Sequence, residues 1–230
     1  MRLDRFLSNL PAFNRQDVRH LLAGGRVYVD GQAVRDGRCE IRVFSRIEVD
    51  GQLLQAGKAA RYFMLHKPLG VVSATEHPEH RTVLDLFDEP DKHELHLAGR
   101  LDLNTSGLLL VTNDGQWSRR ATSPGGKQPK VYRVETRDVI DPACVEVFAR
   151  GLYFGYEDLT TLPAVLEILA PRQARLTLFE GRYHQVKRMF GHFRNPVVGL
   201  HRSSMGAIQL DPDLAPGQYR ALTAQEVASF

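Results

Sequence analysis

The chain has 230 residues, 43% of them hydrophobic and 25% charged, with a formal net charge of +3. That is the composition of an ordinary globular protein, long enough for one large domain or for a small and a medium one. Its longest apolar runs, such as Leu108 to Val111, are too short to cross a bilayer, so no membrane partner is expected. The opening Met1-Arg2-Leu3-Asp4-Arg5 mixes both signs of charge and does not read as a secretory leader. Cys39 and Cys144 form no CxxC pattern. Two reduced thiols in a cytoplasmic protein is the plain reading, with a single disulfide left open.

The first 57 residues read as a unit of their own. Leu3, Phe6, Leu7 and Leu10 follow the i, i+3, i+4, i+7 pattern of a short amphipathic helix. Asn14 is placed to cap a second helix with Asp17 at its third position and Val18, Leu21 and Leu22 as its apolar face; Gly24-Gly25 ends it. Strands are predicted over Arg26 to Asp30, Ile41 to Phe44 and Arg46 to Val49, with Asp-Gly turns at Asp30-Gly31 and Asp50-Gly51. Three stretches of this unit, Arg2 to Leu7, Arg15 to Leu22 and Gly25 to Gly31, resemble the S4 RNA-binding domain. Arg2, Arg5, Arg15 and Arg19 are spaced to offer guanidiniums from two short helices to RNA phosphates. Solvated arginines on a helical hairpin are the plainer alternative.

Gln52 to Ala60 reads as a linker. A larger domain over residues 61–230 follows, with strands predicted at Tyr62 to Leu65, Gly70 to Ser73, His96 to Leu101, Leu108 to Thr112, Val131 to Val134, Val165 to Leu169 and Ala174 to Phe179. Helices are predicted at Ala143 to Arg150 and Tyr183 to Phe193. The pattern indicates an α+β domain on an extended mixed or antiparallel sheet. Two segments are basic and free of acids: Gly115 to Val134, with Arg119, Arg120, Lys127, Lys130 and Arg133, and Gly181 to Leu210, with Arg182, Lys187, Arg188, Arg194 and Arg202. A basic face on a nearly neutral protein is a common way to meet a phosphate backbone.

Asp102 follows an apolar strand and leads into Asn104-Thr105-Ser106-Gly107, residues that favour a turn. Alone, such an aspartate is more often a turn or cap residue. Its context is more specific. Gly99-Arg100-Leu101-Asp102 with Thr105-Ser106-Gly107-Leu108-Leu109 resembles the signature of the RsuA/RluA pseudouridine synthases. His66-Lys67-Pro68-Leu69-Gly70, Lys130-Val131-Tyr132-Arg133-Val134 and the run from Glu180 to Phe190 match further motifs of that family in order.

The resemblance implies an RNA-modifying isomerase needing no cofactor and no metal, with ribosomal RNA as partner. The nearest branch acts on small-subunit (16S) RNA, at uridine 516 in ribosomal numbering, on naked RNA or within a partly assembled subunit; the protein is expected to be a monomer. It implies Asp102 as the catalytic carboxylate, Tyr132 as an aromatic face for uracil, and Lys187 as the basic partner. Arg100, beside Asp102, would fill the place of the extruded base or bind a flanking phosphate. Arg182 and Arg188 would add RNA contacts. Two other readings stay open: a synthase for large-subunit RNA, and a non-catalytic RNA-binding protein of ribosome assembly.

Overall fold

The computed structural model describes residues 1–126 and 128–230; Lys127, one of the basic residues counted above, lies outside them. The chain divides into two compact units, Met1–Ala60 and Arg61–Phe230.

In the first unit, α1 (Leu3–Ser8) and α2 (Arg15–Ala23) pack on a four-stranded sheet of β1 (Val27–Val29), β2 (Gln32–Ala33), β3 (Ile47–Val49) and β4 (Gln52–Gln55), in the order β2-β1-β3-β4. The α2 cap forms as its residues require. Asn14 accepts from the backbone of Gln16 and Asp17, and Asp17 accepts from the Asn14 amide in return. Leu3, Leu7, Val18, Leu21 and Leu22 meet Val27, Val29, Ile47 and Val49 in one core. Both Asp-Gly pairs are left-handed at each residue, as a two-residue hairpin turn of type I′ demands.

Two predictions in this unit fail. Ile41 to Phe44 is no strand: only Ile41 is buried, and Arg42 to Ser45 close a turn through Ser45 N–H to the Arg42 carbonyl. Gln52 to Gln55, read as part of a linker, instead pairs with β3, because the Asp50-Gly51 turn folds it back.

The second unit runs β5 (Tyr62–Lys67), β6 (His96–Ala98), β7 (Ser106–Thr112), α3 (Gly115–Thr122), β8 (Lys130–Thr136) and α4 (Ala143–Arg150). A small hairpin follows, β9 (Tyr153–Phe154) with β10 (Leu159–Thr160). Then come β11 (Val165–Ala170), β12 (Gln173–Leu178), α5 (Gln185–His192), β13 (Val197–Met205), β14 (Ile208–Gln209), β15 (Tyr219–Ala221) and α6 (Ala224–Ala228). Nine strands make one sheet in the order β11-β12-β8-β13-β7-β5-β15, with β14 beside β13 and β6 beside β7. The fold is therefore α+β on a mixed, mostly antiparallel sheet, as its sequence indicated.

Strand alternation sorts the apolar residues into two layers. Phe63, Leu65, Leu109, Val111, Tyr132 and Val134 face Phe148 of α4 and Phe190 of α5. Met64, Leu108 and Leu110 face Trp117 and Ala121 of α3. With both faces covered, β7 is buried along nearly its whole length.

One junction differs from the rest. β7 and β13 run parallel and pair at only two positions, Ser106 with His201 and Gly107 with Arg202. Gly107 has φ +111°, and a Cβ there would stand 2.2 Å from the Arg202 carbonyl oxygen, so only glycine permits this approach. Arg202, counted above with the basic surface, is instead 2% exposed and donates through Nε to the Leu108 carbonyl.

Gly70 to Ser73 also departs from its predicted strand. Gly70 turns with φ +76°, and beyond it the backbone makes only a single bridge, Val72 to Thr82. Both cysteines are free thiols. No helix among the described residues is long and apolar enough to cross a membrane.

Candidate active site

The loop that enters β7 is fixed from two sides. Ser73 Oγ donates to the Leu101 carbonyl at 2.6 Å, and the Leu101 amide reaches the same hydroxyl at 3.0 Å. The Gly70 amide holds the Leu103 carbonyl at 2.9 Å. Beneath the loop Lys67 is fully buried, its ammonium donating to the carbonyls of Pro68, Asp102 and Thr105 at 3.0, 3.1 and 2.9 Å. Burial pulls the Lys67 ammonium down to about 8, with the Asp102 charge opposing that shift. The backbone of Asp102 is thereby set before any partner touches its side chain.

Two cationic or potentially cationic groups meet that side chain. Lys187 Nζ, from the first turn of α5, donates to Asp102 Oδ2 at 3.1 Å, and His184 Nε2 stands 3.5 Å from Oδ1. Asp102 and Lys187 are each about a third exposed, so the pair opens to solvent while its supports stay buried. Val186, Met189 and Phe190 bury the other side of α5, which leaves Lys187 at the edge of the apolar stripe. α5 begins two residues later than predicted. His184 precedes it in a left-handed conformation, φ +48°, which a helix through Tyr183 would not allow.

Tyr132 lies on β8 opposite Arg202 of β13, which in turn pairs with Gly107 of β7. It thus shares a row of the sheet with the end of the Asp102 loop. The residue is 8% exposed and belongs to the layer that holds Leu101 and Val186, the chain neighbours of Asp102 and Lys187. No hydrogen bond joins Tyr132 to Asp102 in the described structure. Arg100 is exposed two residues before Asp102. Arg182 pairs with Glu180 at 3.0 Å, and Arg188 is held bidentately by Glu157 at 2.7 and 2.6 Å, lying over the Phe154 ring.

In the first unit Arg2 is paired with Asp4, and Arg5, Arg15 and Arg19 are exposed. A cleft of about 640 Å³ is lined by Asn104, Ser106, Arg133, Lys187 and His201 among others; Asp102 and Tyr132 do not line it. Sequence reasoning missed two participants. His184 was hidden inside an assumed helix, and Lys67 gave only its place in the His66-Lys67-Pro68 motif as a signal.

A single carboxylate, braced by buried bonds and faced by an ammonium and an imidazole at the entry to β7 of a mixed sheet, is the polar arrangement that the Asp102 loop presents to solvent. Comparison with known proteins gives the chain its class. A model of the RNA pseudouridylate synthase family matches residues 61–192. Ribosomal small subunit pseudouridine synthase A of Pseudomonas aeruginosa is 64% identical over 229 residues, covering all of both chains. The protein of the same name from Escherichia coli is 47% identical over all of this chain and 99% of its own. A solved pseudouridylate synthase superimposes with a TM-score of 0.72 at 40% identity, covering 100% of this chain and 99% of that one. The chain belongs to the RNA pseudouridylate synthase family, and it is an RNA pseudouridine synthase.

Proposed function

We propose that this enzyme converts a uridine of small-subunit (16S) ribosomal RNA to pseudouridine, with Asp102 as its catalytic carboxylate. The full-length likeness to two enzymes named for the ribosomal small subunit supports the substrate, and the resemblance points to uridine 516. The observation that carries the catalytic reading is the Lys187–Asp102 contact at 3.1 Å on a loop braced by Lys67.

The reaction breaks the N1–C1′ bond, turns the uracil, joins C5 to C1′, and moves one proton from C5 so that N1 ends protonated. An ionised Asp102 serves either opening step, attack on C1′ or removal of the C2′ proton. Lys187 balances its charge from one oxygen and leaves the exposed side of the carboxylate to the ribose. The uridine must first leave its stack, at a cost of a few kcal/mol. Tyr132, in the row of Gly107, is the aromatic face for the uracil in this reading, and exposed Arg100 is placed to bind the strand beside the vacated position. Arg182, half-exposed beside Glu180, and the Arg188 backbone clamp border the same helix start.

The first unit, with Arg2, Arg5, Arg15 and Arg19 on its two helices, acts as an S4-type RNA-binding domain in this reading. The enzyme works in the cytoplasm, where its RNA is made.

The test is Asp102→Asn, which keeps size and shape. It is expected to fold, to bind the ribosomal RNA fragment, and to form no pseudouridine when that RNA is chemically mapped. Turnover at the wild-type rate would remove Asp102 from the mechanism. Mapping with wild-type enzyme on both ribosomal RNAs tests the substrate, and modification confined to large-subunit RNA would reject it.

A further inference from the structure

Next to the Asp102–Lys187 pair stands an aromatic pair that the reaction as described does not use. Tyr183 is 75% exposed. Its ring is stacked on that of His184, with centroids 3.9 Å apart and planes 19° from parallel. One face of the tyrosine is therefore taken, and so high an exposure leaves the opposite face open to solvent. His184, on the covered side, puts Nε2 3.5 Å from Asp102 Oδ1.

The backbone of this pair is held firmly. Arg188 Nη1 donates to the Tyr183 carbonyl at 3.3 Å. The same guanidinium is gripped by both Glu157 oxygens and rests 3.6 Å from the centre of the Phe154 ring. The left-handed His184 then fixes where the chain enters α5. A large aromatic ring held in water with one face free adds nothing to the core. In a protein that acts on RNA, such a ring is a platform for a base, because every base has a π-face and single-stranded bases stack on aromatic side chains.

We propose that the open face of Tyr183 stacks the nucleobase immediately flanking the target uridine. A row of contacts then leads from that base through Tyr183 and His184 to the carboxylate. This inference rests on the Asp102 loop being the place of turnover. Binding of the neighbour fixes the strand at the moment when the target base is out of its stack, so Tyr183 contributes to affinity and to choice of sequence context rather than to bond breaking.

The probe is a small-subunit ribosomal RNA fragment containing the uridine that wild-type enzyme converts, with each neighbouring base replaced in turn by 2-aminopurine or by an abasic sugar. At one flanking position the 2-aminopurine fluorescence should be quenched on binding to wild type and to Tyr183→Phe, but not to Tyr183→Ala. Tyr183→Ala should weaken binding about ten-fold, the order of a lost base–aromatic stack. The abasic RNA should cost wild type a similar factor and cost Tyr183→Ala nothing more, as expected when two changes remove one interaction.

Unchanged affinity of Tyr183→Ala, or losses that simply multiply, would overturn the proposal. The wild-type protein with abasic RNA carries the test even if the variant folds poorly. The quench is also read in Asp102→Asn. Should that variant turn over, the reading of Asp102 fails while the fluorescence still decides for or against the platform.

Discussion

Lys67 has no surface in contact with water, yet its ammonium serves three carbonyls that set the Asp102 loop. A methionine there would fill the space but donate to none of them; the Asp102 carbonyl would keep the Thr105 amide, and each of the other two left without a donor and out of reach of water would cost about 1–3 kcal/mol. Lys67→Met is therefore expected to melt earlier and to lose most activity although Asp102 and Lys187 remain. The pH dependence has a definite sign. Folding lowers the ammonium from 10.5 to about 8. Between those values the unfolded chain binds more protons than the folded one, so this group makes stability rise with pH across that interval. Thermal melts of wild type and Lys67→Met from about pH 7 to 10 should show the gap widening in favour of wild type above 8. A constant gap would mean that Lys67 does not titrate there.

At the scale of elements, what the residues made legible was whatever depends on local chemistry. The Asn14–Asp17 capping box and the Asp-Gly turns need only their own neighbours, and α4 runs over the predicted Ala143–Arg150. Asn14→Ala is accordingly expected to cost the first unit about 1 kcal/mol, read as a lower urea midpoint, and to weaken RNA binding by loosening the helix that carries Arg15 and Arg19. Elements defined by distant partners were not legible. β13 (Val197–Met205) was missed because its residues mix buried and half-buried positions and its pairing with β8 carries two register shifts. Gly70 to Ser73 has a strand's composition, but the Gly70 amide and the Ser73 hydroxyl go to the Leu103 and Leu101 carbonyls, and only Val72 keeps a bridge, to Thr82. In the site, Asp102 and Lys187 were legible through motifs. The roles of His184 and Lys67 depend on contacts 82 residues (184 − 102) and 35 residues away along the chain, which no local pattern encodes.

For the molecule as a whole, the division at Ala60 and Arg61 gives each unit its own apolar core. Arg61–Phe230 expressed alone is expected to fold with the near-wild-type melting point of its unit. It should bind the RNA fragment more weakly, and with a shallower dependence on salt, than the full chain, since fewer phosphates are then neutralised. Titrations at several salt concentrations check this. Equal affinity and equal slope would overturn the RNA-binding role proposed for the first unit.

The two-residue seam between β7 and β13 also sets a schedule for synthesis. Ser106 must wait for His201, 95 residues on, and Asp102 for Lys187, 85 residues on. At bacterial-type elongation of roughly 5–20 residues per second, the carboxylate is made roughly 4–17 seconds before its lysine. Trp117 waits longer still for the Val227 carbonyl, 110 residues away, to close the far layer. No incomplete chain ending before Lys187 holds the paired carboxylate, so on the catalytic reading proposed above the enzyme is inert for most of its own time on the ribosome.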